Sequence, residues 1–401
     1  MQEEQAAYRT GRQVQDHICT LRTVINSKLM YGKDVYTAFL DLSAAFDSVN
    51  REEIWEILDG RKVPNKLLRA IKSVYKNAMG IVRANGVESE FFPFKIGLKQ
   101  GDSLSPLLFI LLIDDITKEC NNKCRSQRLK VGHLNLIPIY VQALTYADDI
   151  VILADSEEKL QTTLNVWSNE LKRRKLHLNQ KKSKVMHFTK DKEQRKPKIV
   201  VDGEELEVVQ QFTYLGTVFQ ANGKITEEIK NRISKASNIY YQLNKTVIGK
   251  PEVGKEAKLQ IYKSIYQPTL LYGAETWART TKTDGQIEAA EMKFLRRVAG
   301  KTKRDMARSS RIREELNQQH IIKQLETKQL KWYGHVQRMP DERQTKKCVE
   351  ARPWGKRPKG RPRKTWMDCL KEVGKKKNLS EGEMKKLSKD RKKWKQFCRG
   401  P

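Results

Sequence analysis

Asp148 and Asp149 stand side by side between two apolar runs, residues 143–147 and 150–154. Such a pattern reads as a tight hairpin with two carboxylates at its tip. An ionised pair there repels itself and loses hydration unless a positive charge offsets both costs. A divalent metal does so economically. Asp41 ends a third apolar run, residues 35–41, so three carboxylates converge if these strands are neighbours. An all-oxygen set of this kind suits Mg²⁺. Three carboxylates and two metal ions are the parts of phosphoryl transfer. One ion lowers the pKa of an attacking hydroxyl and the other steadies a departing pyrophosphate, with the ions about 3.5–4 Å apart. Taken alone, Asp148-Asp149 also fits a plain hairpin turn, because Asp is a common turn residue.

The elements that must hold these carboxylates are visible in the pattern of residue types. Residues 35–41 are β-branched, aromatic or small on both faces, as a central strand covered on both sides requires. Asn50-Arg-Glu-Glu53 reads as a capping box, and Pro64 as the first residue of a helix carrying Leu67, Leu68, Ile71 and Tyr75. Asn85-Gly86 marks a hairpin whose strands, 81–84 and 87–91, are expected to join the sheet. Ser105-Pro106 starts a helix through Ile116 that is apolar almost all round and belongs inside the domain. Residues 155–174 carry Leu160, Leu164, Trp167 and Leu171 at helical spacing, and 185–188 return as a strand. The order β-α-β-β-α-β-β-α-β predicts an α+β fold, a mostly antiparallel sheet with helices packed on one face. A second unit follows, with a hairpin at 198–209 about Asp202-Gly203, a strand pair at 212–219, and helices at 226–243 and 254–271. From Ala278 the helices look shorter and more polar. Beyond Pro340 there is little periodicity before a Lys-rich stretch near 381–398.

At 401 residues the chain is long enough for two or three domains. Its 79 Lys and Arg against 48 Asp and Glu give +31, a self-repulsion that a polyanionic partner relieves by releasing counterions. Nucleic acid is the leading partner class. From Arg343 to the end there are 22 basic and 6 acidic residues, so +16 of the excess sits in the last 59 positions. The longest apolar run, 107–113, is far short of the ~20 residues a membrane-spanning helix needs. The expectation is a soluble intracellular protein with no membrane partner. Six scattered cysteines fit a reducing compartment, and Cys120 and Cys124 with His133 are a weak zinc set beside the simpler reading of incidental thiols.

Three stretches in chain order carry a resemblance. Phe39-Leu-Asp41-Leu-Ser-Ala-Ala-Phe46-Asp47-Ser-Val49, Gly97-Leu-Lys-Gln100-Gly101-Asp-Ser-Leu-Ser105-Pro106-Leu-Leu and Tyr146-Ala-Asp148-Asp149 resemble the A, B and C motifs of reverse transcriptases. Their wording is most similar to non-LTR, LINE-type retrotransposon polymerases, and the likeness runs from about Glu4 to Cys398. It implies a right-hand polymerase palm with a helical thumb. It also implies Asp41, Asp148 and Asp149 as ligands of two Mg²⁺ ions, with Mn²⁺ as a substitute. By the same resemblance Phe46 closes the pocket against a ribose 2′-OH, although a core aromatic would look alike. Gln100, Gly101 and Tyr146 would meet the nucleotide and template, with Asp47 beside them as pocket neighbour or local cap. Asn179-x-x-Lys182-Ser183 resembles motif D, whose lysine is a candidate general acid. Lys175 replaces the glycine usual in that motif, and a generic basic face also fits. Tyr214-Leu215-Gly216 resembles the motif E hairpin that supports the primer end. Tyr8-Arg9-Thr-Gly11-Arg12 resembles a fingers motif in which Arg9 and Arg12 grip the triphosphate.

In the tail, Gly355-Lys-Arg357-Pro-Lys359-Gly360-Arg361-Pro362-Arg363-Lys resembles an AT-hook, whose arginines seek the narrow minor groove. A nuclear-import signal reads much the same. Trp354, Trp366 and Trp394 interleave with the charge and are expected to stack on bases. The division expected is a palm with partial fingers (1–189), a connection and thumb (190–301), a helical segment (302–342) and a basic nucleic-acid-binding tail (343–401). The resemblance implies addition of dNTPs to a DNA primer on an RNA template, at nicked chromosomal DNA in the nucleus. An upstream endonuclease domain and further fingers sequence are expected by family and missing from this chain. The alternative is a truncated remnant that binds RNA or DNA without polymerising.

Overall fold

The computed structural model describes residues 1–191, 196–356, 358–360 and 362–399. They divide into two compact units. The first holds Met1–His17, Gly32–Gln210 and Ala351–Trp354; the second holds Ile18–Tyr31, Gln211–Glu350 and the described residues from Gly355 on. Helix α1 (Val14–Met30) starts in the first and ends in the second.

In the first unit β1 (Val35–Leu40) is followed by α2 (Arg51–Gly60), α3 (Asn65–Tyr75) and four two-residue strands, β2 (Met79–Gly80), β3 (Arg83–Ala84), β4 (Val87–Glu88) and β5 (Phe92–Pro93). Then come α4 (Ser105–Lys123), β6 (Leu129–Leu134), β7 (Ile137–Val141), β8 (Ala143–Tyr146), β9 (Asp149–Ala154), α5 (Glu157–Arg173), β10 (Lys184–Phe188), β11 (Val200–Val201), β12 (Glu204–Glu205) and β13 (Glu207–Val208). The main sheet runs β13-β10-β1-β9-β8, antiparallel except for the β10–β13 edge. One face of β1, Ala38 and Leu40, joins Ile150, Ile152 and Val185 in a core with Trp55, Phe109, Leu112, Leu164 and Trp167 of α2, α4 and α5. The other face of β1, Val35, Thr37 and Phe39, is buried as well. The expected α+β layer, with its two-sided central strand, is what forms.

The strands about Asn85-Gly86 do not join that sheet. They make the expected turn, with φ of +50° and +81°, but β3–β4 and β2–β5 are separate ladders. Two-residue ladders are too short to add a paired strand to the sheet, and their apolar side chains, Val87 and Met79 among them, stay exposed. Asn50 caps α2 through the N–H of Glu52 at 3.3 Å, while Glu53, expected to reciprocate, pairs instead with Arg174 at 2.6 Å. Hairpin β6–β7 takes a further bridge from residues 351–354. His133 and Arg352 exchange backbone hydrogen bonds, and a Cβ on Gly132 would lie 2.5 Å from the Arg352 carbonyl oxygen.

The second unit contains hairpin β14 (Gln211–Tyr214) and β15 (Thr217–Gln220), then α6 (Thr226–Leu243), α7 (Lys255–Ile261) and α8 (Gln267–Leu270). The later helices are α9 (Thr281–Val298), α10 (Ser309–Glu315), α11 (Ile321–Gln337), α12 (Gln344–Glu350), α13 (Trp366–Lys376), α14 (Glu381–Lys389) and α15 (Arg391–Arg399). The expectation of shorter, more polar helices after Ala278 is overturned by α9 and α11, of 18 and 17 residues. Each buries an apolar stripe, Ile287, Phe294 and Leu295 on one and Leu325, Leu330 and Tyr333 on the other. The region beyond Pro340 is folded too. Leu370, Val373, Met384 and Cys398 pack with Leu330 and Val336 in a core of their own. Among the described residues no helix is long and apolar enough to cross a membrane.

Candidate active site

β1 pairs with β9 as far as Leu40 opposite Ile150, and β8 pairs with β9 as far as Tyr146 opposite Asp149. One step beyond the β1–β9 ladder, Asp41 and Asp149 are neighbours at the end of the sheet. Asp148 occupies the turn between β8 and β9. That turn holds Ala147 at φ +55°, a left-handed conformation costly for a residue with a Cβ. Strain of this kind persists only where surrounding structure enforces it. Here the N-terminal segment does so. Ala6 donates its N–H to the Thr145 carbonyl at 3.1 Å, Thr145 donates to that of Glu4 at 2.9 Å, and the buried Gln5 side-chain oxygen accepts from Ala147 at 3.3 Å. Nothing in the residue pattern marked Gln5 as the brace of the aspartate turn.

The acid at Asp149 is pushed up to about 6, first by burial of its carboxyl and then by the charges of Asp148 and Asp41. The Asp149 carboxyl therefore feels the charges of both neighbours. Among the described residues no three His, Cys, Asp or Glu side chains close into a metal shell by themselves. Mg²⁺ does not require one, since it is commonly held by one or two carboxylates together with waters and substrate phosphates. The cluster fits a hard divalent ion of that kind.

One loop is latched onto Asp41 itself and a second onto the residues that follow it. The Asn179 N–H bonds the Asp41 carbonyl at 2.8 Å, and the Asp41 N–H bonds the Ser183 hydroxyl at 3.1 Å. This leaves Lys182 Nζ 4.0 Å from the Asp41 carboxylate with most of its side chain in solvent. On the other side, Leu98 donates to the Phe46 carbonyl at 2.8 Å and Gly97 to that of Val49 at 2.9 Å. Gly97, at φ +83°, passes so close to Asp47 that a Cβ would lie 2.8 Å from its carbonyl oxygen. The Phe46 ring stacks on Phe109 with centroids 4.6 Å apart, and Gln100 donates to the Asp47 carboxylate at 3.2 Å. Gly101 follows at φ +84° with open space around it. Arg51, which the motif reading passed over, ties this loop down. Its guanidinium donates to the carbonyls of Gly97 and Phe94 at 2.8 Å, Ile96 at 3.2 Å and Tyr75 at 3.3 Å.

Residues 1–219, more than half of the chain, match the family described as reverse transcriptase (RNA-dependent DNA polymerase). The chain belongs to that family. It is 28% identical over 236 residues to the Pol polyprotein of the retrotransposable element R2 from Nasonia vitripennis, covering 56% of this chain and 22% of that protein. It is 24% identical over 271 residues to the RNA-directed DNA polymerase of mobile element jockey from Drosophila funebris, covering 66% of this chain and 28% of that one. The chain thus spans between about a fifth and three tenths of these relatives. Similarity also extends to a transposon-derived protein of Caenorhabditis elegans, 28% identical over 271 residues, or 63% of this chain and 92% of that protein. Among solved structures, apo telomerase from Candida tropicalis covers 81% of this chain and 51% of its own at a TM-score of 0.44 and 15% identity.

Of the other residues expected to contact substrate or nucleic acid in this reverse transcriptase chain, some are held by neighbours within the protein and others are exposed. Arg9 and Arg12, expected to grip a triphosphate, are engaged locally. Arg9 donates to the carbonyls of Gln2 and Gln5 at 2.5 and 2.7 Å, and Arg12 pairs with Glu3 at 2.5 Å. Tyr146 meets His17 edge-on at 6.1 Å, just before the strained turn. In the second unit Tyr214 is buried, and the turn Leu215-Gly216 has φ of +45° and +73°. Its carbonyls are clamped, that of Leu215 by the Tyr272 hydroxyl at 3.0 Å and that of Gly216 by Arg232. Buried Glu228 pairs with Arg232 at 2.7 Å and accepts from Val218 N–H at 2.7 Å, which fixes the hairpin to α6. In the tail, Arg357 and Arg361 lie outside the described residues. Lys359 and Gly360 are exposed, as is Pro362. Arg363, expected to enter a minor groove, is half-buried with its guanidinium on the Asn222 carbonyl at 2.6 Å. Two of the tryptophans expected to stack on bases are buried instead. Trp394 and Trp366 are core residues whose indoles donate to the carbonyls of Leu330 at 2.9 Å and Glu275 at 2.7 Å, so neither offers a face to a base. Trp354 is exposed but sits against His133, with Lys130 over its ring at 4.5 Å.

Proposed function

We propose that this chain is the polymerase segment of a non-LTR retrotransposon protein, adding deoxynucleotides to a DNA primer 3′-OH on an RNA template. The observation that carries the reading is the meeting of Asp41 with the Asp148-Asp149 turn at the end of a buried sheet, in a chain matched to the reverse transcriptase family. The family works with divalent metal ions. The finer reading is two Mg²⁺ ions, with Mn²⁺ as a substitute, held by Asp41, Asp148 and Asp149. Bound there, the ions supply an acidified primer hydroxyl and a neutralised pyrophosphate.

The chain's own residues divide the remaining work. Lys182 gives a proton to the departing pyrophosphate, a role supported by its lying 4.0 Å from Asp41. Phe46, backed by Phe109, presents a ring to the sugar and disfavours a 2′-OH, while Gln100 and Gly101 meet the base and template. The clamped turn 214–216 supports the primer end, and the basic residues after Arg343 hold nucleic acid by its phosphates. Action on a chromosomal target, hence in the nucleus, belongs to the same proposal. The engagement of Arg12 by Glu3 favours a second reading, binding without polymerisation.

Primer extension on an RNA template with a DNA primer separates the two. The polymerase reading expects Mg²⁺-dependent extension that disappears in Asp148→Asn and in Asp41→Asn, with primer–template affinity retained. Tight binding of primer–template by a folded wild-type chain that adds no nucleotide under Mg²⁺ or Mn²⁺ overturns it in favour of the second.

A further inference from the structure

Away from the carboxylates, the first unit exposes a cluster of large apolar side chains on its short ladders. Phe91, Phe92 and Phe94 are 72%, 38% and 48% exposed, and Met79, Val82 and Ile96 are exposed as well. Two of the rings form a built surface. Gly80 pairs with Phe92 across β2–β5, and the Phe94 N–H bonds the Ala78 carbonyl at 2.8 Å. The Phe94 ring lies over Gly80, where a Cβ would overlap it. Phe92 and Phe94 meet edge to face with centroids 5.3 Å apart. Arg51 fixes the far end by holding the carbonyls of Phe94 and Ile96 at 2.8 and 3.2 Å.

The charge around these rings names the occupant. Residues 61–99 contain nine Lys and Arg against two Glu, a net +7, and Lys76 and Lys95 flank the aromatic ladder in sequence, while Lys99 bonds the Val74 carbonyl at 2.8 Å. A second copy would set +7 against +7. Exposed rings among cations are what an unpaired polynucleotide uses, since bases stack on aromatic side chains while phosphates meet the lysines. We infer that the Phe92–Phe94 pair is a stacking platform for single-stranded RNA, separate from the carboxylate site. The choice of RNA rests on the proposed RNA template.

The test is equilibrium binding of the full chain to a fluorescein-labelled oligouridylate, with an RNA duplex of equal length and oligothymidylate as controls. Loss of stacking costs about 1–3 kcal/mol per base, or roughly 5- to 150-fold in affinity. The Phe92→Leu/Phe94→Leu double variant is expected to lose single-strand affinity by that factor and to keep duplex affinity within twofold. Phe92→Tyr/Phe94→Tyr keeps both, and Gly80→Ala, which displaces the Phe94 ring, falls between. Unchanged oligouridylate affinity in the folded Leu variant overturns the platform, as does equal loss on duplex. A Leu variant as good as the Tyr variant also overturns it. Loss of self-association in the Leu variant, seen by sedimentation, reassigns the patch to a second copy. Oligothymidylate bound more tightly than oligouridylate, and lost in the same variant, overturns the choice of RNA. Primer extension by the same wild-type preparation reports on catalysis separately, so a failed polymerase that still binds through Phe92 and Phe94 sinks the catalytic reading alone.

Discussion

Residues 61–99 and the region from Arg343 onward both mix aromatic rings with a large excess of positive charge, +7 and +16 respectively, yet they treat the rings in opposite ways. In the first, Phe92 lies in a two-residue ladder too short to enclose anything, with Phe91 and Phe94 on either side of it, and all three face water. In the second, Trp366 lies at one end of α13 and Trp394 in α15, and helix packing puts both inside a core with Leu330 and Tyr333. Rings among lysines are therefore not by themselves a base-stacking surface. The deciding property is whether the local element has a stripe that can be buried, and an amphipathic helix has one where a two-residue strand has none.

The largest effect that probes this contrast is on stability. Trp394→Ala removes a fully packed indole and its 2.9 Å hydrogen bond to the Leu330 carbonyl, and is expected to cost about 3–5 kcal/mol in chemical denaturation. Gly334→Ala, whose Cβ would overlap the same indole, is expected to cost about 1–3 kcal/mol by overpacking. Phe92→Leu, on the exposed ladder, should stay near the ordinary surface range of about 0.5 kcal/mol. A Trp394→Ala chain as stable as wild type breaks the comparison at its root.

Next in size is the anchor of the first region. Arg51→Ala removes a charged donor from four carbonyls, and charge-assisted hydrogen bonds are worth about 1.5–3 kcal/mol. Because the loop so held leads into Gln100 and Gly101, the loss is expected as a raised KM for dNTP and weaker single-strand binding together. Arg51→Lys, which reaches fewer carbonyls, recovers only part of either. Loss of stability with both readouts unchanged would make Arg51 a structural residue and detach the ladder from the site.

The residue pattern carried much of the carboxylate site because its elements announce themselves by side-chain type. The two-sided strand 35–40, the helix from Ser105 that is apolar almost all round as far as Ile116, and the hairpin about Asp148 each match one simple pattern. What the pattern concealed follows from physical causes. Hairpin β6–β7 carries Pro138 and Gly132, residues that argue against a strand until one sees an exposed edge and a close backbone approach by Arg352. The fold beyond Pro340 was masked by composition, since Leu370, Val373, Met384 and Trp394 are thinly spread among lysines on short helices. Gln5, Arg51 and Arg232 act through backbone carbonyls and N–H groups, partners that no motif wording displays. Arg12 shows the converse, a motif residue whose charge is engaged by a neighbour, Glu3, that the motif does not include.

The smallest effect sharpens the comparison most. Lys392 and Lys393 lie exposed on α15 beside the buried Trp394, so this surface has cations without available rings. Contacts of that type release counterions and carry no preference for unpaired bases. Lys392→Ala/Lys393→Ala is expected to weaken binding of duplex and single strand alike. It should flatten the plot of log affinity against log salt for duplex DNA by up to about 0.9 per lysine in contact with phosphate. Phe92→Leu/Phe94→Leu should do the reverse, lowering single-strand affinity at every salt concentration with no change in slope, because a stacked ring displaces no cation from the backbone. A slope that moves in the phenylalanine variant and stays fixed in the lysine variant would mean that the two regions have exchanged the roles their geometry assigns them.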